Sequence, residues 1–441
     1  MTKSSPLLRS LGLFDATMLV IGCIVGVGIF RTASAIALNV PSPGLILWLW
    51  VAGGVVSLCG ALCYAELAGM FPASGGDYVY ITQVYGRFWG FLFGWTKLFI
   101  ERTGTIAILG FVFAEYVRRV LGFDEPALRW VASGAILALT AVNIAGIRWG
   151  KYVQNALTVL KIVALASLAA AGAWIATHHP NSVDWSVPPL TAAGSSLGVA
   201  FVFVLWTYGG WTEAAYVAEE VRQPTRNVPR AIIIGVLLTT ALYVLVNWAY
   251  LIAIPIEELD GSPLVASTVM QRALGEGGAV FIAWMIAASA FGALNGYILT
   301  GGRILYALGK DHPLFGELSA VHPKFRTPAV ALVANAAIAI GLVFTKTLDQ
   351  IMTYSQVIIS LFFTMAVFAV IFLRREQPHA ARPYRAWGYP VTPLLFCVSM
   401  LWFMADVCAK QPDEAAFGLV LLAVGIPLYR WSQRSRRRQT A

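Results

Sequence analysis

Long apolar runs alternate along the chain with short segments rich in charge, proline and glycine. Twelve runs stand out: 13–38, 44–69, 88–117, 128–146, 153–176, 194–218, 230–254, 278–308, 328–345, 350–373, 389–408 and 415–431. The last is short, and the long 255–277 connection holds an apolar patch, Pro263 to Met270, that predicts a short surface helix. A helix needs about 20 residues to cross about 30 Å of hydrocarbon. The pattern therefore predicts an all-α integral membrane protein of about 12 transmembrane helices.

Composition agrees. Of 441 residues, 58% are hydrophobic and only 12% charged, against about a quarter charged in soluble domains. Twelve spans use roughly 240 positions, so no room remains for a large soluble domain. The expectation is one membrane domain over 1–431 and a basic tail at 432–441. The polar start, MTKSSPLLRSLG, runs straight into the first span and is read as carrying no secretory signal.

Candidate metal chemistry is poor. Cys23, Cys59, Cys63, Cys397 and Cys408 lie in apolar stretches without metal-ligand spacing and read as buried thiols. His178, His179, His312, His322 and His379 fall in predicted loops. No metal, cofactor or catalytic residue is expected.

The net charge of +9 would suit a nucleic-acid binder, but its distribution reads as topology. With both termini on one side, 21 Lys and Arg fall in segments on that side: Lys3, Arg9, Arg87, Arg148, Lys151, Arg222, Arg226, Arg230, Arg303, Lys310, Lys324, Arg326, Arg374, Arg375, Arg382, Arg385, Arg430, Arg434, Arg436, Arg437 and Arg438. Only Arg118, Arg119, Arg129, Arg272, Lys346 and Lys410 fall on the other. Cytoplasmic loops carry the excess of cations, so both termini are expected in the cytoplasm. The tail RSRRR is also suited to anionic lipid.

Two spans carry glycine in their middles. Span 1 reads VIGCIVGVGIFRTAS, and span 6 reads FVFVLWTYGGWTEAAY. Glycine weakens a helix, and a broken backbone in lipid survives only where protein covers it or a cavity receives it. Gly22 and Gly26 also make a GxxxG spacing that suits close packing. The pairing of the two breaks, five spans apart, points instead to an inverted-repeat transporter with its site at the midplane. The repeats would cover about 13–176 and 194–373, with helices 11 and 12 added over about 389–431. The outer half of span 1 would begin near Gly28 and aim free amides at the centre, which suits a carboxylate. The inner half would end near Ile24, and the first half of span 6 near Trp206, leaving carbonyls that suit an ammonium group. Amides on one side and carbonyls on the other are a site for an α-amino acid.

These residues carry a resemblance. GVGIF (Gly26 to Phe30), YGGW (Tyr208 to Trp211), EEVRQPTRNVPRA (Glu219 to Ala231), FGALNG followed by GGR (Phe291 to Arg303) and RPYRAWGYP (Arg382 to Pro390) occur in order. The chain resembles the amino acid–polyamine–organocation superfamily, and within it the L-type amino acid transporters, over nearly its whole length. Taken alone, EEVRQPTRNVPRA reads as a basic loop with Asn227 capping span 7 and Pro229 in its first turn, which does not explain the whole string. The resemblance implies a 5+5 inverted-repeat (LeuT-like) fold with helices 1 and 6 interrupted. It implies a substrate held by backbone of Ile24, Gly26, Val27 and Gly28 in span 1 and of Trp206 and Gly209 in span 6, with Trp206 as a gate. Packing or membrane-interface anchoring is the plain alternative for Trp206.

Two departures from the family pattern matter. Val27 stands where a small Ser or Ala is usual, so a hydroxyl contact is lost and the pocket narrows. Glu213 stands where an uncharged residue is usual in eukaryotic members. A carboxylate inside the membrane is costly and usually paired or functional. Glu213 is open to three readings: pairing with Lys97, Arg102 or Lys161; relaying a proton; or reading a polar substrate. Lys161, in the middle third of span 5, is too deep to snorkel. It pairs with a buried carboxylate, or, as the resemblance implies, it replaces the cation that sodium-coupled relatives bind between spans 1 and 8. Eukaryotic members that pair with a glycoprotein subunit use a cysteine between spans 3 and 4. Here that loop reads RRVLGFDEPALR, so no disulfide-linked heavy subunit is expected.

Three readings compete. The first is a sodium-independent neutral L-amino acid exchanger or uniporter, in the plasma membrane or, in a bacterium, the inner membrane. The second is a proton-coupled carrier of cationic amino acids or polyamines that uses Glu213. The third is a multispan membrane enzyme acting on lipid, with Glu219 and Glu220 as candidates, but these lie inside the transporter-like motif.

Overall fold

The computed structural model describes residues 7–40, 42–178, 183–187, 196–259, 264–345 and 348–440. Lys3, His179, Pro263 and Lys346 lie outside the described residues, as do the side chains of Arg434, Arg436, Arg437 and Arg438. The described residues form helices and connections, and their one β-bridge joins Leu11 to Val221.

Eight helices are each long and apolar enough to cross a membrane. They are Pro43–Met70, Ala127–Ile144, Ile147–His178, Pro224–Ala253, Glu276–Asp311, Val391–Lys410 and stretches of the helices Leu348–Glu376 and Pro412–Thr440. The pair Leu13–Ile24 and Gly28–Asn39, bent by 40°, makes a ninth. The other three expected spans are broken or short. Span 3 runs as Arg87–Thr96, a π-helical turn Lys97–Glu101 and Arg102–Leu121, and Lys97 and Glu101 in that turn, with Arg102 just after it, lower its apolarity. Span 6 stops at Thr207, and span 9 is Ala329–Val343. The surface helix expected near Pro263 to Met270 is Val265–Leu274. A short helix, Asp77–Tyr85, lies where no long apolar run marks the sequence.

Span 1 packs against spans 5, 7 and 8. Missing side chains let these helices close. A Cβ on Gly210, whose φ is +104°, would lie 2.8 Å from the Cys23 carbonyl, so the span 6 turn rests directly on span 1 backbone. A Cβ on Gly292 would lie 2.9 Å from Lys161 Cε, so span 8 makes room there for the lysine. RPYRAWGYP docks on span 2 through the buried Glu66, which accepts from Arg374 Nε (3.0 Å) and the Ala386 amide (2.7 Å) and lies 3.2 Å from Arg382 Nε.

Three details correct the expectations. Asn227 does not cap span 7: that helix begins at Pro224, after Gln223 in a left-handed conformation, and Asn227 Nδ2 donates to the Arg222 carbonyl inside the first turns. Pro229 therefore sits in the helix interior. Arg303 is not a loop cation: it is fully buried and grips Glu220 with Nε (2.8 Å) and Nη2 (3.0 Å). His178 is not in a loop, because it closes the helix Ile147–His178, whereas His312 does lie in the connection after Glu276–Asp311, buried among Phe91 and Tyr429, where burial pulls its pKa down to about 4.

Candidate functional site

The two interruptions meet at one cavity of about 180 Å³, lined on one side by Ile24, Gly26, Val27 and Gly28 and on the other by Trp206 and Gly209. All six residues singled out from the sequence are thus brought together. Span 1 breaks at Val25–Val27. Its second half starts at Gly28, where a first turn leaves amides without intrahelical partners. The Gly26 amide is not among the free ones, because it turns back onto the Ile24 carbonyl (2.7 Å). In span 6, the Gly209 amide bonds the Trp206 carbonyl (3.1 Å).

The carbonyls orphaned by the span 1 break are met by donors from three other spans. Lys161 Nζ, from span 5, donates to the carbonyls of Gly22 and Val25, the latter at 2.7 Å. Tyr243 Oη, from span 7, lies 2.8 Å from the Ile24 carbonyl and 3.2 Å from that of Thr207, so its single proton is shared between the two breaks. Ser289 Oγ, from span 8, has its single proton within reach of the carbonyls of Val25 (3.3 Å) and Gly26 (3.2 Å). Lys161 is buried behind the break and does not line the cavity. Sequence reasoning missed Tyr243 and Ser289. One signal was available for the first: a tyrosine buried in an apolar span needs a partner for its hydroxyl.

A buried charge cluster forms the far wall. Glu213 lies within reach of one of its three candidate cations: Arg102 Nη1 bonds both carboxylate oxygens (3.2 and 3.1 Å) and Nη2 bonds Oε1 (3.2 Å). Thr300 Oγ1 accepts a further bond from Arg102 (3.3 Å), and the guanidinium lies 4.8 Å from the Tyr297 ring centre. Lys97 instead pairs with Glu101 (2.8 Å), and Lys97, Glu101 and Glu213 all line the cavity. Nearby, Asp77 accepts from Tyr216 Oη (2.9 Å). Glu101 and Asp77 escaped the sequence reading, although Lys97 and Glu101 stand four residues apart on one helix face. Elsewhere the lining mixes apolar side chains, among them Leu205, Ile359, Phe363 and Phe403, with the hydroxyl residues Thr105, Thr207, Thr212, Ser355 and Ser360. Among the described residues no group of three or more His, Cys, Asp or Glu is placed to hold a metal ion.

Comparison with known proteins identifies the family. A family profile described as amino acid permease matches residues 11–424. The chain is 31% identical over 448 aligned residues to the b(0,+)-type amino acid transporter 1 of Mus musculus, covering 99% of this chain and 92% of that protein. It is 30% identical over 435 residues to the serine/threonine exchanger SteT of Bacillus subtilis (strain 168), covering 97% and 98%. It is 32% identical over 436 residues to the large neutral amino acids transporter small subunit 2 of Mus musculus, covering 96% and 80%.

Proposed function

The chain belongs to the amino acid permease family, and we propose that it is a sodium-independent carrier of neutral L-amino acids that works by exchange or uniport. A permease of this family moves amino acids and is not an enzyme. In the proposed scheme the substrate carboxylate meets the amides at the start of the second half of span 1, around Val27 and Gly28. Its ammonium meets carbonyls at the Trp206 end of span 6, and Trp206 closes over it. The relatives named for exchange and for neutral amino acids support this substrate class. Glu213 is spent on Arg102, which favours pairing over proton relay.

The observation that carries the sodium-independent reading is Lys161. Its ammonium sits on the Gly22 and Val25 carbonyls, so the positive charge that such carbonyls attract is already part of the protein. The excess of cations on the side of the termini supports a cytoplasmic placement of both ends in a plasma or bacterial inner membrane. Arg303 drops out of that excess because it is spent on Glu220, and the bias remains.

Uptake of labelled amino acids into proteoliposomes tests the reading. Replacing sodium by choline or potassium leaves wild-type initial rates unchanged, and Lys161→Ala lowers them at least about tenfold through loss of the break's shape, since an orphaned buried acceptor costs about 1–3 kcal/mol. A steep sodium dependence of the wild type would refute the proposal.

A further inference from the structure

A second cavity, of about 240 Å³, opens on the membrane face that carries the N-terminal segment and shares no lining residue with the first. Three separate elements build it. Arg9 and Ser10 come from the N-terminal segment, Arg148, Lys151 and Tyr152 from the start of span 5, and Arg222 from the connection between spans 6 and 7. Lys151 is already committed: its Nζ lies 3.0 Å from Asp15 and 3.2 Å from the Ser10 carbonyl. The side chains of Arg9, Arg148 and Arg222 have no hydrogen-bonding or ion-pair partner among the described residues. Three exposed arginines without a protein partner among the described residues therefore line one hollow. The first turn of the 32-residue helix Ile147–His178 adds the positive end of its dipole.

Two further observations give the ligand its chemistry. Ser10 is only 7% exposed, and its Oγ is buried in this wall without a hydrogen-bond partner. Buried hydroxyls are nearly always bonded, so the hollow has a polar donor waiting beside its cations, the set that a phosphate oxygen requires. The hollow also runs onto a lipid-facing surface. Trp149, Tyr152, Val159, Leu160 and Val163 are exposed along one face of span 5. Trp149 and Tyr152, at its end, are the aromatic type that anchors at the headgroup level.

We propose that this cavity binds the phosphate of an anionic phospholipid, held by Arg9, Arg148 and Arg222 with a hydrogen bond from Ser10 Oγ. The acyl chains then lie along the Trp149–Val163 face. A free phosphate shares the headgroup chemistry, and the adjoining apolar stripe is what selects the lipid. The site joins elements that already pair through backbone: the Ser10 and Leu11 amides donate to the Glu220 carbonyl, each at 3.0 Å, and the Arg222 amide to Leu11 (2.8 Å). Bound lipid adds a bridge across the same closure.

Native mass spectrometry of the full-length protein, released from micelles holding equal phosphatidylglycerol and phosphatidylcholine, tests this. Wild type retains phosphatidylglycerol in preference to phosphatidylcholine. Arg9→Gln/Arg148→Gln/Arg222→Gln loses that preference at least about tenfold, given about 1 kcal/mol for each cation near a lipid surface. Lys324→Gln/Arg375→Gln/Arg385→Gln removes three exposed cations from the same face and keeps the preference. Ser10→Ala weakens retention by a smaller factor. Unfolding midpoints in lipid-free neutral detergent, unchanged in the triple variants, show that folding is not the cause. Equal retention by wild type and the Arg9/Arg148/Arg222 variant overturns the proposal. Displacement of phosphatidylglycerol by an equal concentration of inorganic phosphate, with no preference between lipids, overturns the lipid assignment.

Discussion

Gly26 offers the cleanest perturbation of the proposed substrate site. A Cβ built on Gly26 finds its nearest neighbour, the Ile24 carbonyl oxygen, 3.9 Å away, which is ordinary contact. Its φ lies outside the left-handed range that would make a side chain strained. The fold therefore tolerates a side chain there, and that side chain enters the cavity. Gly28 is a poorer choice, because its Cβ would lie 3.1 Å from Thr207 Cγ2 and 3.2 Å from Trp206 Cζ3 and would press on span 6. Gly26→Ala adds one carbon, and Gly26→Val adds three. If each displaces about one buried methylene of substrate contact, at about 0.8 kcal/mol, the losses are about 0.8 and 2.4 kcal/mol, or roughly fourfold and fiftyfold in affinity. Binding measured by a scintillation proximity assay on purified protein reads the graded series, and uptake into proteoliposomes reads transport. Elution as a single species and an unchanged unfolding midpoint confirm the fold. A substrate methyl ester, which lacks the carboxylate charge, fails to compete in the wild type. A well-folded Gly26→Val protein with wild-type affinity would show that the substrate does not sit at the span 1 break.

Two other substitutions separate competing roles. Trp206→Phe retains most uptake and Trp206→Ala loses at least about tenfold, since a gate needs an aromatic face and not a particular ring; equal uptake by the two rejects gating. Glu213→Gln leaves the buried Arg102 without its main partner and lowers stability by about 3–5 kcal/mol, read as a fall in Tm, while Arg102→Gln/Glu213→Gln recovers part of the loss. An unchanged Tm together with lost dependence on a pH gradient would make Glu213 a proton relay.

The apolar runs were enough to place most of the long helices, within a few residues for spans such as Pro43–Met70 and Glu276–Asp311 and less closely for spans 5, 6, 7 and 12, because about twenty residues of hydrocarbon-compatible sequence have few other fates. The glycine clusters of spans 1 and 6 marked where the backbone breaks, for the same reason in reverse: breaks need small residues and cover. Polar positions were harder. Glu213 had three cations in the membrane to choose from, and only the packing of span 3 against span 8 sets Arg102 beside it while turning Lys97 toward Glu101. Tyr243 and Ser289 look like incidental polar residues in apolar runs, since nothing local says that each faces another helix's open carbonyl. Asp77–Tyr85 was missed because a short helix mixing tyrosine with polar residues leaves no long apolar run. Arg303 was misread because a cation near the end of a span looks the same in sequence whether it reaches water or a buried Glu220.

The distribution of hydrogen bonds around the cavity bears on which half of the proposed site moves. The span 1 break is held by Lys161, Tyr243 and Ser289, which come from three different spans and together cover the carbonyls of Gly22, Ile24, Val25 and Gly26. Straightening that helix would orphan several donors and acceptors at once, each at about 1–3 kcal/mol. Trp206 is different. It is only half-buried, and its indole N–H has no hydrogen-bond partner among the described residues. Its ring packs beside Gly28, where there is no side chain to trap it. Moving the ring costs contact area but no buried hydrogen bond. In the proposed scheme the span 1 side is therefore a rigid, preorganised cradle for the carboxylate. The response to substrate belongs to the Trp206 ring rather than to the whole of span 6, whose backbone is tied to the cradle by the Tyr243 hydroxyl shared between Ile24 and Thr207, by the Thr32–Thr207 hydroxyl contact (3.3 Å) and by the close approach of Gly210 to Cys23.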